Sequence, residues 1–235
     1  MIVLAYTALC AHMLILIPEQ PSVRKDRPTR IEYFTGHPFE HEIQDAPGPE
    51  AFFAVAPGGA VEDLLPGVTR HGKKYACTFT PKERGDYYIV ARAPVREEDG
   101  VRCRDSAKLV LHVQSQTGWE TPRGGGLDIV PLTRPYGLAA GGVFRGKAAW
   151  NGAPLAGARI EVERYNPAPP AALPPDEFIT AVVKADEQGI FVAQCMTAGW
   201  WALAVHADAP PAAGEAPVRH SLCFWLHAGT PGGER

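Results

Sequence analysis

The sequence predicts an all-β protein: two antiparallel β-sandwich domains of immunoglobulin-like type joined by a Gly/Pro-rich hinge. Three observations predict it. Short runs in which apolar and polar residues alternate with period two recur along the chain, each bounded by Gly, Pro, Asn or Asp. The 24 glycines and 23 prolines among 235 residues suit many turns better than long helices. The alternation also breaks off in the loose tract 118–126 and resumes at Leu127, as at a boundary between two units.

In the first half, residues 12–17 form an apolar run ended by Pro18, long enough for a strand and too short for a stable helix. A polar loop with two prolines follows. Residues 29–35 read as a half-buried strand with Ile31 and Tyr33 on one face, left by the turn His37-Pro38-Phe39-Glu40-His41. Residues 51–56 lead into the turn Pro57-Gly58-Gly59. The segment 74–80 places Tyr75, Cys77 and Phe79 together, Gly85-Asp86 turns the chain into 87–93, and 108–113 closes the half with Leu109, Leu111 and Val113 on one side. In the second half, strands are predicted over 143–150, 158–165, 178–183, 190–195, 200–207 and 218–227. Asn151-Gly152 is a tight-turn signal, and 166–175 and 209–217 are Pro/Ala-rich loops. The predicted organisation is therefore a leader remnant over 1–11, domains over 12–117 and 127–235, and a linker over 118–126. Pro131 and Pro135 remove two backbone donors and fix φ, so 127–137 suits an edge strand or an extended connector.

A net charge of −3 excludes an electrostatic groove for nucleic acid. No apolar run approaches the roughly 20 residues that span a bilayer. Residues 1–11 have the length and apolarity of a signal-peptide core without its positive flank, and cleavage after Ala11 would expose His12; the alternative is a first strand. Cys77, Cys103, Cys195 and Cys223 allow within-half pairing, but no metal spacing such as CxxC occurs, and small buried hydrophobes are the plainer reading. The sequence contains no GxSxG, HExxH or P-loop, and catalysis is not expected.

The chemistry on offer is metal ligation. A chain starting at His12 offers an α-amine and an imidazole, which together chelate one ion. Neutral imidazole is a ligand favoured by nickel, copper and zinc. His37 and His41 sit on the turn that leaves a strand, and Glu32 and Glu40 are carboxylates close enough in sequence to ligate or orient a ring. The bland alternative is an ordinary strand-end histidine and two loop histidines. His206, His220 and His227 read as structural unless the two halves fold back to share a site, and His71 and His112 carry no assignment. Of Trp200 and Trp201, alternation sends one ring into the core and the other outward or onto the seam.

The stretches 127–137, Gly199-Trp200-Trp201 and His37-Pro38-Phe39-Glu40 resemble periplasmic proteins of a domain-of-unknown-function family whose genes accompany nickel and cobalt importers of the energy-coupling type. The resemblance implies a periplasmic or otherwise extracytoplasmic accessory protein. It would bind nickel or cobalt through His12, His37 and His41 and pass the ion to the membrane subunits of such an importer. His41 departs from that pattern, in which Gly is more usual after the Glu and a second histidine comes slightly later. The words from Asn151 to Ala158 and from Asp186 to Phe191 are similar to carboxypeptidase-regulatory-like and immunoglobulin-like modules, which serve unrelated functions. Two alternatives stand beside the nickel/cobalt reading: a periplasmic copper-binding protein, and a two-domain adhesion or interaction module without metal.

Overall fold

The computed structural model describes residues 12–98, 100–121, 125–209 and 217–230. The predicted leader, 1–11, and part of the predicted linker, 122–124, lie outside them. Among the described residues the regular structure is β, apart from 3-10 turns at Leu65–Gly67 and Asp176–Phe178. No helix among them is long and apolar enough to cross a membrane.

The strands form three sheets. The central one has 11 strands, and its main path runs Thr180–Lys184, Arg159–Arg164, Gly199–Ala209, Val218–Gly229, Val101–Val113, Gly85–Arg92, Ala51–Val55, Val61–Asp63. A five-stranded sheet runs Met13–Pro18, Thr29–His37, Lys74–Phe79, Thr69–His71, with Glu42–Gln44 also paired to Thr29–His37. A four-stranded sheet runs Leu127–Pro131, Val143–Trp150, Ala153–Pro154, with Ile190–Gln194 on the other side of Val143–Trp150.

Where the sequence predicts two domains meeting at a hinge, the structure has one sheet shared by both halves. Val101–Val113 pairs in parallel with Val218–Gly229, from Arg102 opposite Val218 to Leu109 opposite Trp225. Successive side chains on these strands leave opposite faces, and each face meets a different outer sheet. Leu109, Leu111, Ala204 and Trp225 pack with Leu14, Ile31 and Tyr33 of the five-stranded sheet. Val110, Leu203, Leu222 and Phe224 pack with Ile129, Phe144 and Phe191 of the four-stranded sheet. A sheet buried on both faces needs apolar residues at consecutive positions, which is why 222–226 reads Leu-Cys-Phe-Trp-Leu without alternation.

Leu127–Pro131 lies at the edge of its sheet, the place its proline requires. The rest of that stretch is fastened down: the Tyr136 hydroxyl donates to Asp86 Oδ2 at 2.8 Å, and its ring stacks on His112 with centroids 4.2 Å apart. His112 Nδ1 bonds the other Asp86 oxygen at 2.8 Å. Asn151 and Gly152 both have positive φ, 49° and 81°, as a two-residue hairpin requires. That hairpin returns into Ala153–Pro154 and not directly into Arg159–Arg164. Trp201 is buried in the core beneath the four-stranded sheet, with its indole N–H on Thr197 O, and Trp200 is half-buried on the opposite side. Cys77, Cys103, Cys195 and Cys223 are buried and form no disulfide among the described residues, and burial pushes Cys77 up to about 11.

Candidate metal site

His12 and His37 are brought together by strand register. Met13 pairs with Gly36 in the antiparallel ladder, so one further step sets His12 opposite His37. Their ring centroids are 4.8 Å apart in an edge-on arrangement. The ladder closes over a tight turn: His37 pairs with Glu42, and a Cβ on Gly36 would lie 1.9 Å from Glu42 O, so only glycine lets the returning strand approach.

That turn is clamped to the central sheet. Glu163 Oε1 accepts from Phe39 N at 3.1 Å, Asn166 N donates to Pro38 O at 3.0 Å, and Asn166 Nδ2 donates to Phe39 O. His41, with a left-handed φ of 56°, donates from Nδ1 to Asn166 O at 2.8 Å and rests against Tyr165. A carbonyl can only accept, so the His41 proton is on Nδ1. His41 thus anchors the turn and does not line the cavity that His12 and His37 face. Glu32 is engaged by Lys74 at 3.1 Å and Arg30 at 3.5 Å, whereas Glu40 reaches the cavity.

The cavity, about 350 Å³, lies between the five-stranded sheet and the central one. Its floor is set by the central sheet's registers. His206 stands opposite Ser221, and Ser221 stands opposite Asp105 on the next strand. Glu161 and Glu163, two residues apart, share the same face. Ile160 and Val162 alternate with these two glutamates along the strand, and the glutamate side faces the cavity, with Glu163 buried. His206, read as structural from sequence, becomes the third imidazole of the cavity because the halves share a sheet. Its position on the same strand face as Ala202 and Ala204, opposite a serine, is the only local signal.

Three buried polar atoms around this cavity have no hydrogen-bond partner among the described residues: Glu40 Oε2, Asp105 Oδ1 and His206 Nε2. His206 Nδ1 is satisfied by Ser221 Oγ at 2.9 Å, while Nε2 points to Glu161 Oε2 at 3.7 Å. With the Ser221 hydroxyl turned to Asp105, the imidazole proton sits on Nδ1 and Nε2 presents a lone pair. Burial is the largest influence on both acids here. It raises Asp105, against Arg96 and the Ser221 hydroxyl, and raises Glu163, against its bonds to Thr180 and Phe39 and the nearby His37. Asp105 is paired with Arg96, whereas Glu163 makes no ion pair among the described residues. No three His, Cys, Asp or Glu side chains among the described residues stand together as a ready-made coordination shell. Closing one around an ion takes side-chain rearrangement.

The fold and cavity define a class: a three-layered β protein with imidazoles and carboxylates gathered between two layers. The chain belongs to a family described as a domain of unknown function, DUF4198, whose model matches residues 9–209. No curated protein matches the sequence. Among solved structures, the chain is similar to a DUF4785 family protein from Legionella pneumophila at 12% identity and TM-score 0.37, covering 85% of this chain and 53% of that one. It is similar to trypsin-activated alpha-2-macroglobulin from Escherichia coli at 12% identity and TM-score 0.28, covering 92% of this chain and 16% of that one. The adhesin InvE of Yersinia pseudotuberculosis is similar at 10% identity and TM-score 0.27, covering 90% of this chain and 58% of that one. The chain thus spans about half the length of the first and a small part of the second.

Proposed function

We propose that the protein is an extracytoplasmic accessory protein that captures nickel or cobalt as cargo and hands it to the membrane subunits of a nickel/cobalt importer. The two sandwiches predicted from sequence then become two layers on one shared sheet, with the ion held on one side. The observation that carries the reading is the His12–His37 pair, 4.8 Å apart and facing a cavity that also holds the bare Nε2 of His206. Imidazole nitrogens with carboxylate help suit late first-row dications. A dication would also offset the burial cost of Asp105 and Glu163, since an opposite charge favours the ionised acid. The α-amine of a chain cleaved before His12 would add a further ligand; the cleavage site lies outside the described residues. Handing the ion on requires a shell that opens, and an incomplete set of ligands at rest suits release better than a closed cage.

The test is calorimetric titration of a chain beginning at His12 with Ni²⁺, Co²⁺ and Cu²⁺ at about pH 7.5 and about pH 5.5, on either side of the free imidazole value. Metal capture predicts one equivalent bound at the higher pH, much weaker binding at the lower, and loss of binding in His12→Ala and His37→Ala. Equal behaviour of those variants and the parent protein would discard it. A preference for copper that nickel and cobalt cannot approach would change the cargo.

A further inference from the structure

On the opposite face of the central sheet the same strands build a second cavity, of about 490 Å³. Its floor is a regular grid. Arg104, Ser106 and Lys108 leave this face of Val101–Val113, with His220, Leu222 and Phe224 opposite them on the parallel neighbour. On the antiparallel neighbour, the bond from Ala93 N to Asp105 O at 2.9 Å continues the ladder and sets Arg92 opposite Ser106. Phe53, Val55 and Val90 extend the floor as an apolar wall, and Leu127 and Asp128 of the four-stranded sheet close it from above.

The charges in this cavity do not cancel. Lys108 is buried and takes Asp128 as its counterion, with its ammonium over the rings of Tyr88 and Phe224. That uses the cavity's one carboxylate among the described residues. Arg104 makes one ion pair among the described residues, its Nε lying 3.8 Å from Glu50 Oε1, and that Nε is out of water without a hydrogen bond. Arg92 makes no ion pair among the described residues. His220 is held below its ordinary pKa, first by burial and then by Arg104 and Arg92, so at neutral pH it adds no charge and reports theirs. A buried guanidinium N–H left without a hydrogen bond costs stability unless an acceptor arrives.

We propose that this cavity binds a small amphipathic carboxylate, with its carboxylate between Arg92 and Arg104 and its hydrocarbon body along Phe53, Val55, Val90 and Leu222. Guanidinium forks match carboxylate geometry, and the volume falls in the range of small-molecule sites, about 300–1,000 Å³. The assignment stands apart from the metal reading: it uses the other face of the sheet and no residue of the His12–His37 pair.

The experiment is isothermal titration of the full chain, in metal-free buffer of low ionic strength near pH 7.5, with octanoate, octan-1-ol and acetate as probes. Octanoate binds with a Kd below about 1 mM, while octanol and acetate, each carrying half of the recognition, bind at least about tenfold more weakly. Arg92→Gln combined with Arg104→Gln weakens octanoate about tenfold or more. Ser106→Glu, which places a carboxylate opposite Arg92 and two residues from Arg104, keeps the fold by circular dichroism and abolishes binding. The proposal is overturned by octanol binding as well as octanoate, by either variant binding octanoate like the parent, or by no octanoate binding up to about 10 mM.

Discussion

Arg104 and Asp105 are consecutive residues on one strand, yet Asp105 faces the histidine cavity and Arg104 the cationic one, because successive side chains leave a sheet on opposite sides. At 220–221 the division is less strict: His220 lines the cationic cavity alone, whereas Ser221 reaches both. Among the residues lining the histidine cavity, the buried atoms without a hydrogen bond are Glu40 Oε2, Asp105 Oδ1 and His206 Nε2. Among the residues lining the cationic cavity, it is a donor, Arg104 Nε. One cavity therefore holds unsatisfied carboxylate oxygens and the other an unsatisfied guanidinium nitrogen. What separates the side chains of the two cavities is the parity of residue number along two strands, and a one-residue slip in their register would exchange them.

The largest way to stress this division is at the ion pair on the cationic side. Asp128→Ala strands a buried ammonium and should lower the unfolding free energy by about 3–5 kcal/mol in a urea titration, whereas Lys108→Met combined with Asp128→Leu, which removes both charges and keeps the volume, should cost far less. A cost for Asp128→Ala no larger than that of a surface change, about 0.5 kcal/mol, would show that Lys108 is not trapped there. Next, and resting on the metal proposal, His206→Ala should weaken nickel binding about 10–100-fold while His220→Ala leaves it unchanged. If both weaken it alike, the faces are not chemically separate.

Acid should move the faces in opposite directions. His220 has a lowered pKa, so its contribution to stability is present above the ordinary histidine value of 6.5 and is lost as pH falls through the lowered one. Glu163 has a raised pKa, so its contribution is full below the ordinary value of 4.5 and is lost as pH rises through the raised one. Urea midpoints followed from about pH 4 to pH 8 should therefore show the parent losing ground to His220→Gln on acidification and gaining on Glu163→Gln. Parallel curves for the two variants would contradict the assignment. The smallest effect is expected at His41. Loss of its bond to Asn166 O costs about 1 kcal/mol, with nickel affinity preserved, which would set it apart from His12 and His37.

Most strands are legible in the sequence, and the turn chemistry at Asn151-Gly152 and at Gly189 is as the residue types demand. The revealing gap is 101–107, which the sequence does not mark as strand at all, although Val101–Val113 runs unbroken. Arg102, Arg104, Asp105 and Ser106 show no apolar alternation, because a strand end lined on both sides by polar cavities has no greasy face to display. Missing it hides the parallel pairing with Val218–Gly229, and with it the shared sheet, the place of His206 and the whole cationic cavity. His12 and His37 were within reach because both lie at the ends of one hairpin-like ladder, where local register alone sets the meeting. His206 needed partners from three strands far apart in the chain, and periodicity carries no information about those.

The parallel seam also governs the order in which this protein can be made. On its parallel flank Arg102 meets its neighbour at Val218, so a chain emerging residue by residue leaves that flank of Val101–Val113 without its long partner until Val218–Gly229 appears. Contacts of such separation close slowly, and an unpaired flank invites pairing with other chains in the meantime. A nascent chain of this kind would gain from a holdase that shields the waiting strand during synthesis or translocation, and terminal truncations should harm folding far more than their length suggests.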